Sequence, residues 1–398
     1  MPEITLSLFP KNDDSKAGVL EVLAKFEQEH HCQVQVHWMT WDTGHADLNQ
    51  IAFQRRGADV SEIGTSWLGD YISMKALRPF AAHEIQRFGG VEAFAPVSWI
   101  PGQMDDDVDH YAIPWSIAIF MLFYRRSALE KAGIAEARAF ESIDSLEQTV
   151  EALARAGHPM PVAPSVALDR YVMLHSLAPF VWNEGGQFRS DDGQKVLFNS
   201  PEALRGMARY FNLARSLAPE ALEQLNSGYS INLFASETAA ITFSSCSEIY
   251  NPALSRADQI GTWGLAPTPP GSFVGGQSLV IWQHTRHDPL AVELVQYLTS
   301  HPVQLQQSLF NGHLPARISG LQSIEFAQPN LHDPLFQALN TGRTYRPMRL
   351  WSVMEDRLVQ ALSSVWDSFY TDPQQDVYPL LEETLNPLAR RLQLTLSQ

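Results

Sequence analysis

At 398 residues the chain is too long for one compact core and long enough for two lobes. Hydrophobic residues make up 45% and charged residues 18%, a balance that excludes disordered, collagenous and repetitive architectures. A formal net charge of -16 repels nucleic acid and anionic membrane surfaces, so neither is expected as a partner.

Ile4, Leu6 and Leu8 alternate with Thr5 and Ser7, which predicts a first strand. Val19, Val22, Leu23 and Phe26 follow at helical spacing, in a helix expected to start near Asp14 or Ser15. Cys32, Val34, Val36 and Trp38 alternate again, a helix is expected around Leu48, Ile51 and Ala52, and Asp59 to Ile63 reads as a third strand. This alternation of strand and helix predicts a parallel α/β layer, where ligands sit beyond the carboxyl ends of the strands. The loops at those ends carry Lys11, Asn12 and Asp13, then Thr40, Trp41 and Asp42, then Thr65, Ser66 and Trp67.

A second α/β block follows. Ser145 with Gln148 reads as a capping box, and Ser200-Pro201-Glu202 as a helix start. Ala239 to Phe243 reads as a buried strand ending in Ser244, Ser245 and Cys246. Gly275-Gly276 precedes a strand over Ser278 to Trp282, and Asp288-Pro289 opens a helix. Trp351, Met354, Leu358, Leu362 and Val365 mark a helical tail.

No stretch approaches the roughly 18 apolar residues of a membrane helix. The run from Ile113 to Tyr124 is broken by Pro114, Trp115 and Ser116. Met1-Pro2-Glu3 enters the first strand without a basic or apolar leader, so the protein is either cytosolic or processed from a longer precursor. Cys32 and Cys246 are the only cysteines, and their spacing gives no support for a disulfide.

There is no phosphate-binding glycine loop, nucleophile elbow, H-E-x-x-H or C-x-x-C, so no catalytic residue and no cofactor is assigned. Glycosidase carboxylates need only meet in space, which leaves a carbohydrate-active hydrolase open. His30, His31 and Cys32 are neighbours that point in different directions, and Asp105, Asp106, Asp107 and Asp109 lack the glycine and glutamate of a calcium loop. No metal site is expected.

Ten tryptophans are more telling, because Trp41, Trp67, Trp115 and Trp182 fall beside polar or turn residues. Flat indoles bury the apolar faces of a pyranose while Asp, Asn, Ser and Arg satisfy its hydroxyls. Trp282 and Trp366 read as core instead.

Four stretches resemble the family 1 extracellular solute-binding proteins, the maltose-binding type. They are Asp59 to Trp67 with Ala76 to Phe80; Tyr111-Ala-Ile-Pro-Trp115 with Leu122 to Arg126 and Glu130 to Ile134; Phe234 to Ser245; and Gly275-Gly276 before Leu279 to Ile281, with Gly312 to Arg317. In the third, Ser236-Glu237 replaces the usual glycine-lysine, and Ser245-Cys246 stands where a tryptophan is common.

The resemblance implies a two-lobed α/β fold of periplasmic-binding-protein type II, with a ligand cleft between lobes joined by crossing strands. The first lobe is expected over 1–112 and 275–315, the second over 113–274 and 316–398, with crossings near 111–116, 269–276 and 312–317. It implies a non-enzymatic subunit of a bacterial ABC importer that captures a mono- or disaccharide by hinge closure. The partners implied are the sugar and the permease's transmembrane subunits, for a monomer that is periplasmic or extracellular, free or lipid-anchored, after removal of a leader. Binding of a polyamine, a glycerol phosphate or a metal ion by the same fold stays open; Asp42 and Glu248 give a polyamine little to pair with.

Carried over position by position, the first-lobe contacts are Asn12, Trp41, Asp42, Thr65 and Trp67, with Trp115 at the hinge. Trp182, Ser244 and Ser245 serve the second lobe. Gly275 and Gly276 would let backbone N–H groups approach the ligand. Arg349 and Trp351 stand where the family often supplies a clamp, and an arginine there suits hydroxyls or a sugar carboxylate.

Overall fold

Ile4 and Leu6 of the first strand are fully buried, and so is Ser7 between them, whose hydroxyl lies 2.6 Å from that of Ser61. The period-two pattern predicts Ser7 on an exposed face. Instead both faces of the strand are covered, and the serine pair satisfies its polarity inside. Ser61 also accepts from the indole N–H of Trp282 at 2.6 Å.

In this computed structural model, residues 1–166, 168–324 and 328–397 are described. Among them run β1 (Glu3–Leu8), β2 (Gln33–Trp38), β3 (Val60–Gly64), β4 (Leu77–Arg78), β5 (Ile113–Arg125), β6 (Ile241–Ser245), β7 (Trp263–Pro267), β8 (Val274–Trp282) and β9 (Leu314–Pro315). No described helix is long and apolar enough to cross a membrane.

The chain forms two compact units. The first comprises Met1–Ala118, Gly275–Ile324 and Thr344–Ser352; the second comprises Ile119–Val274, Glu325–Arg343 and Val353–Gln398. Three segments fall in a different unit from the expected lobes. Residues 113–118 and 316–324 fall in the first unit, and so does 344–352. The last assignment has a local cause: a Cβ on Gly69 would come within 2.6 Å of the Met348 carbonyl oxygen, so only glycine lets this segment seat against the helix Leu68–Ser73.

In the first unit β2, β1 and β3 run parallel in that order, and β8 returns antiparallel beside β3. Helix Asp13–His30 connects β1 to β2 and helix Gly44–Gln54 connects β2 to β3, as the hydrophobic pattern predicts. The first helix starts earlier than expected because Asn12 caps it: its side-chain oxygen accepts from Ser15 N–H at 2.9 Å, and the Ser15 hydroxyl accepts from Asn12 N–H at 3.0 Å.

In the second unit the later part of β5 lies between β6 and β7, antiparallel to both. The helix after Phe140 begins at Ile143, capped by Ser142, so Ser145 sits one turn inside it rather than at the cap. Ser200 caps the helix Pro201–Asn212 as read. Gly206 brings that helix against the Phe180 backbone, where an added Cβ would lie 2.4 Å from the carbonyl oxygen. Trp282 and Trp366 are core residues with no exposure. Cys32 and Cys246 are buried free thiols.

Candidate ligand-binding site

The carboxyl ends of β1, β2 and β3 bring three aromatic rings together in the first unit. Phe9 follows β1, and its ring stacks on Trp41 with centroids 4.2 Å apart and planes 15° off parallel. Trp67, after β3, meets Phe9 edge-on at 6.2 Å and Trp41 at 5.6 Å. The two Trp67 spacings lie in the range where aromatic pairs attract beyond their buried area, and the Phe9–Trp41 stack is closer still. Gly44 makes the stack possible, since a Cβ there would lie 2.2 Å from the Phe9 ring. Trp41 keeps 47% of its surface exposed, a large open indole on a rigid support.

Polar groups ring this shelf. Asp42 is exposed beside Trp41 in the turn closed by Gly44 N–H to Thr40 O at 2.7 Å. Thr65 is buried at the start of the short turn Thr65–Trp67. Asn12 is exposed, but its carbonyl oxygen is committed to the helix cap, which leaves its amide for other partners. Beneath Trp67 lies His45 at 5.0 Å. Asp70 accepts from Ser352 N–H at 3.0 Å, and burial raises its carboxyl above the ordinary range.

Glu62, on β3, is 4% exposed and accepts from Phe9 N–H at 2.8 Å. Burial pushes its carboxyl up to about 8, so it is uncharged at neutral pH.

Other expected positions turn out differently. Trp115 and Trp351 are 5% and 2% exposed, the latter with its ring 4.6 Å from Tyr345; neither presents a broad ring face. Arg349 is exposed in the segment that belongs to the first unit, not the second. Gly275 is buried in β8. At Gly276, φ is +138° and an added Cβ would lie 2.1 Å from the Ser116 carbonyl oxygen. The missing side chain admits the backbone of β5 there.

The second unit has its own concentration of polar and aromatic groups. Ser244 is buried at the end of β6, and Ser245 receives Ser247 N–H at 3.3 Å. Nearby, Ser165 and Ser230 hydroxyls lie 2.9 Å apart, and Ser165 donates to Phe243 O at 3.0 Å. Ser230 in turn reaches Asp169 at 3.4 Å. Burial raises the Asp169 carboxyl to about 6, with a smaller push from Glu248. Tyr171 and Tyr229 are each about half exposed on the same segments, at 47% and 48%. Trp182 is buried under the guanidinium of Arg343, which lies 4.6 Å above its ring, so that face is already taken.

Phe9, Glu62, Asp169 and Tyr171 were not singled out by the sequence. Phe9-Pro10 directly after a strand was a usable signal, because proline cannot continue the ladder and so leaves Phe9 at the carboxyl end of the strand.

A sequence model of the bacterial extracellular solute-binding proteins matches residues 21–333. The chain belongs to that family. Solved structures agree on the fold: the sugar-binding protein MalE from Xanthomonas citri superposes with a TM-score of 0.82 at 21% identity, covering 99% of this chain and 97% of that one. An ABC transporter solute-binding protein from Thermotoga lettingae, bound with α-D-tagatose, gives 0.78 at 19% identity over 100% of both chains. The GacH receptor of Streptomyces glaucescens, solved unliganded and with acarbose, gives 0.76 at 19% identity over 98% of both. No curated protein matches in sequence. The solute-binding protein thus has the two-lobed α/β fold of this class, and its indole shelf stands at the strand ends where such sheets bind ligands.

Proposed function

We propose that this solute-binding protein captures a carbohydrate, a mono- or disaccharide, by hinge closure and hands it to the transmembrane subunits of an ABC importer outside the cytoplasm. The observation that carries this is the Phe9–Trp41–Trp67 shelf, with Trp41 open and Asp42, Thr65 and Asn12 around it. Such a surface suits the apolar face of a sugar ring, while the neighbouring side chains pair with its hydroxyls. Tyr171, Tyr229, Asp169, Ser244 and Ser245 give the second unit groups of the same chemistry. The tagatose, maltose and acarbose complexes of proteins with this fold support the ligand class. No catalytic step is proposed.

A thermal-shift screen of maltose, tagatose, trehalose, sugar acids, spermidine and glycerol 3-phosphate tests this. A shift with a related group of neutral sugars, saturable by calorimetry and without sugar cleavage, is the expected result. Stabilisation by spermidine or glycerol 3-phosphate alone would overturn the ligand class, and release of monosaccharide from a bound disaccharide would overturn the non-enzymatic role.

A further inference from the structure

β1 pairs with β3 only as far as Ser7 opposite Ser61. Beyond that point Phe9 has no partner on the β3 backbone, and Pro10 has no N–H to offer. The Glu62 carboxyl takes the place of the missing ladder acceptor, at 2.8 Å from Phe9 N–H. Residues 62 and 64 share one face of β3, and a Cβ built on Gly64 would lie 3.6 Å from Trp41 and 3.7 Å from Trp67. The acid and the indoles therefore stand on the same side of the strand. Phe9 links them: its backbone is held by Glu62 and its ring carries Trp41.

We propose that Glu62 is the positioning residue of the binding shelf, fixing the Phe9 backbone so that the Phe9 ring holds Trp41 at the stacking distance a ligand meets. This rests on the shelf being the ligand-contacting surface. Glu62 reaches the ligand through Phe9. What it must supply is an oxygen at the right distance, which a glutamine supplies equally well. A charge is not needed, since burial already favours the neutral acid.

Two substitutions separate reach from charge. Glu62→Gln keeps an acceptor oxygen at the same distance without a titratable group. Glu62→Asp keeps the carboxyl but withdraws it by one bond, roughly 1.5 Å. The spectral readout is near-UV circular dichroism of the unliganded protein, where the coupled indoles Trp41 and Trp67 contribute, with far-UV spectra confirming the fold. The binding readout is affinity for maltose as probe. Glu62→Gln should keep the wild-type near-UV spectrum and hold maltose affinity within about threefold, whereas Glu62→Asp should lose about half the indole signal and about tenfold in affinity, the range of a disturbed aromatic anchor. Equal behaviour of the two variants, or a better Asp than Gln, would overturn the proposal. Should Glu62→Asp fail to fold, hydrogen exchange at the Phe9 amide decides: slow exchange in wild type and in Glu62→Gln supports it, and exchange at the rate of an exposed amide overturns it. A wild type that binds neither maltose nor any other sugar of the thermal-shift screen but shows the expected spectral pattern would sink the sugar reading and leave the positioning role standing.

Discussion

The Phe9 and Trp41 rings lie nearly parallel, 4.2 Å apart, although their backbones leave the sheet from different strands. Such a stack makes Trp41 rigid while leaving it open. A rigid aromatic surface costs little entropy on binding, which is how a single indole comes to dominate affinity. Trp41→Ala should therefore weaken ligand binding by about tenfold, roughly 1.4 kcal/mol. Its exposure of 47% means that stability should change little. Isothermal calorimetry beside urea denaturation checks both halves. Trp67→Ala, half-buried against His45, should cost binding and stability together.

Burial of Glu62 has a signature in stability against pH. Its carboxyl titrates near 4.5 when unfolded and at about 8 in the fold. Below pH 4.5 both states hold the proton and the contribution is fully present. Between 4.5 and 8 only the folded state holds it, so this contribution is lost as pH rises. Glu62→Gln should flatten that part of the profile in denaturant melts between pH 5 and 8. An unchanged slope would mean the acid ionises freely in the fold.

Asp169 predicts the opposite trend, in binding rather than stability. Its carboxyl is raised to about 6, so it accepts hydrogen bonds as an anion at pH 7.5 and is largely protonated at pH 5. Charge-assisted acceptance from a ligand hydroxyl is then lost. Affinity should fall about threefold to tenfold across that range, and Asp169→Asn should be weaker at pH 7.5 yet nearly flat with pH. Calorimetry at the two pH values is the measurement.

Gly276→Ala should destabilise the protein by about 3 kcal/mol or more, since it combines a left-handed φ with a backbone clash. The φ is +138°, and the new methyl would lie 2.1 Å from the Ser116 carbonyl oxygen. Gly275, on the same strand with ordinary φ, provides the control: Gly275→Ala should cost less in the same urea titration.

Much of this was legible in the chain. The alternation of Ile4, Leu6 and Leu8, the helical stripes after it and the loops holding Trp41 and Trp67 are local signals, and the parallel layer follows from their order. Some of what the sequence did not show concerns partners distant along the chain. Phe9 and Glu62 are 53 residues apart, and no local spacing announces their bond. Segment 344–352 joins the first unit through Met348 meeting Gly69, far upstream. Asn12 illustrates a different limit: one residue type serves both helix caps and sugar hydroxyls, and here its oxygen serves the cap. Ser142 outcompeted Ser145 as a cap for an equally local reason, because the helix starts a turn earlier than the Ser–Gln pair suggests.

The chain changes from one unit to the other after Ala118, Val274, Ile324, Arg343 and Ser352. Strand β5 carries the first of these changes within its own length, pairing with β9 at Ser116 and Ile117 and with β6 from Phe120 onward. No single cut of the gene therefore separates the two units into two fragments, and a reporter fused at Ala118, Val274 or Ser352 would interrupt a strand or helix. Engineering a sensor from this protein calls for insertion into a surface turn such as that around Val108, 92% exposed, where the reading frame can open without severing a shared element.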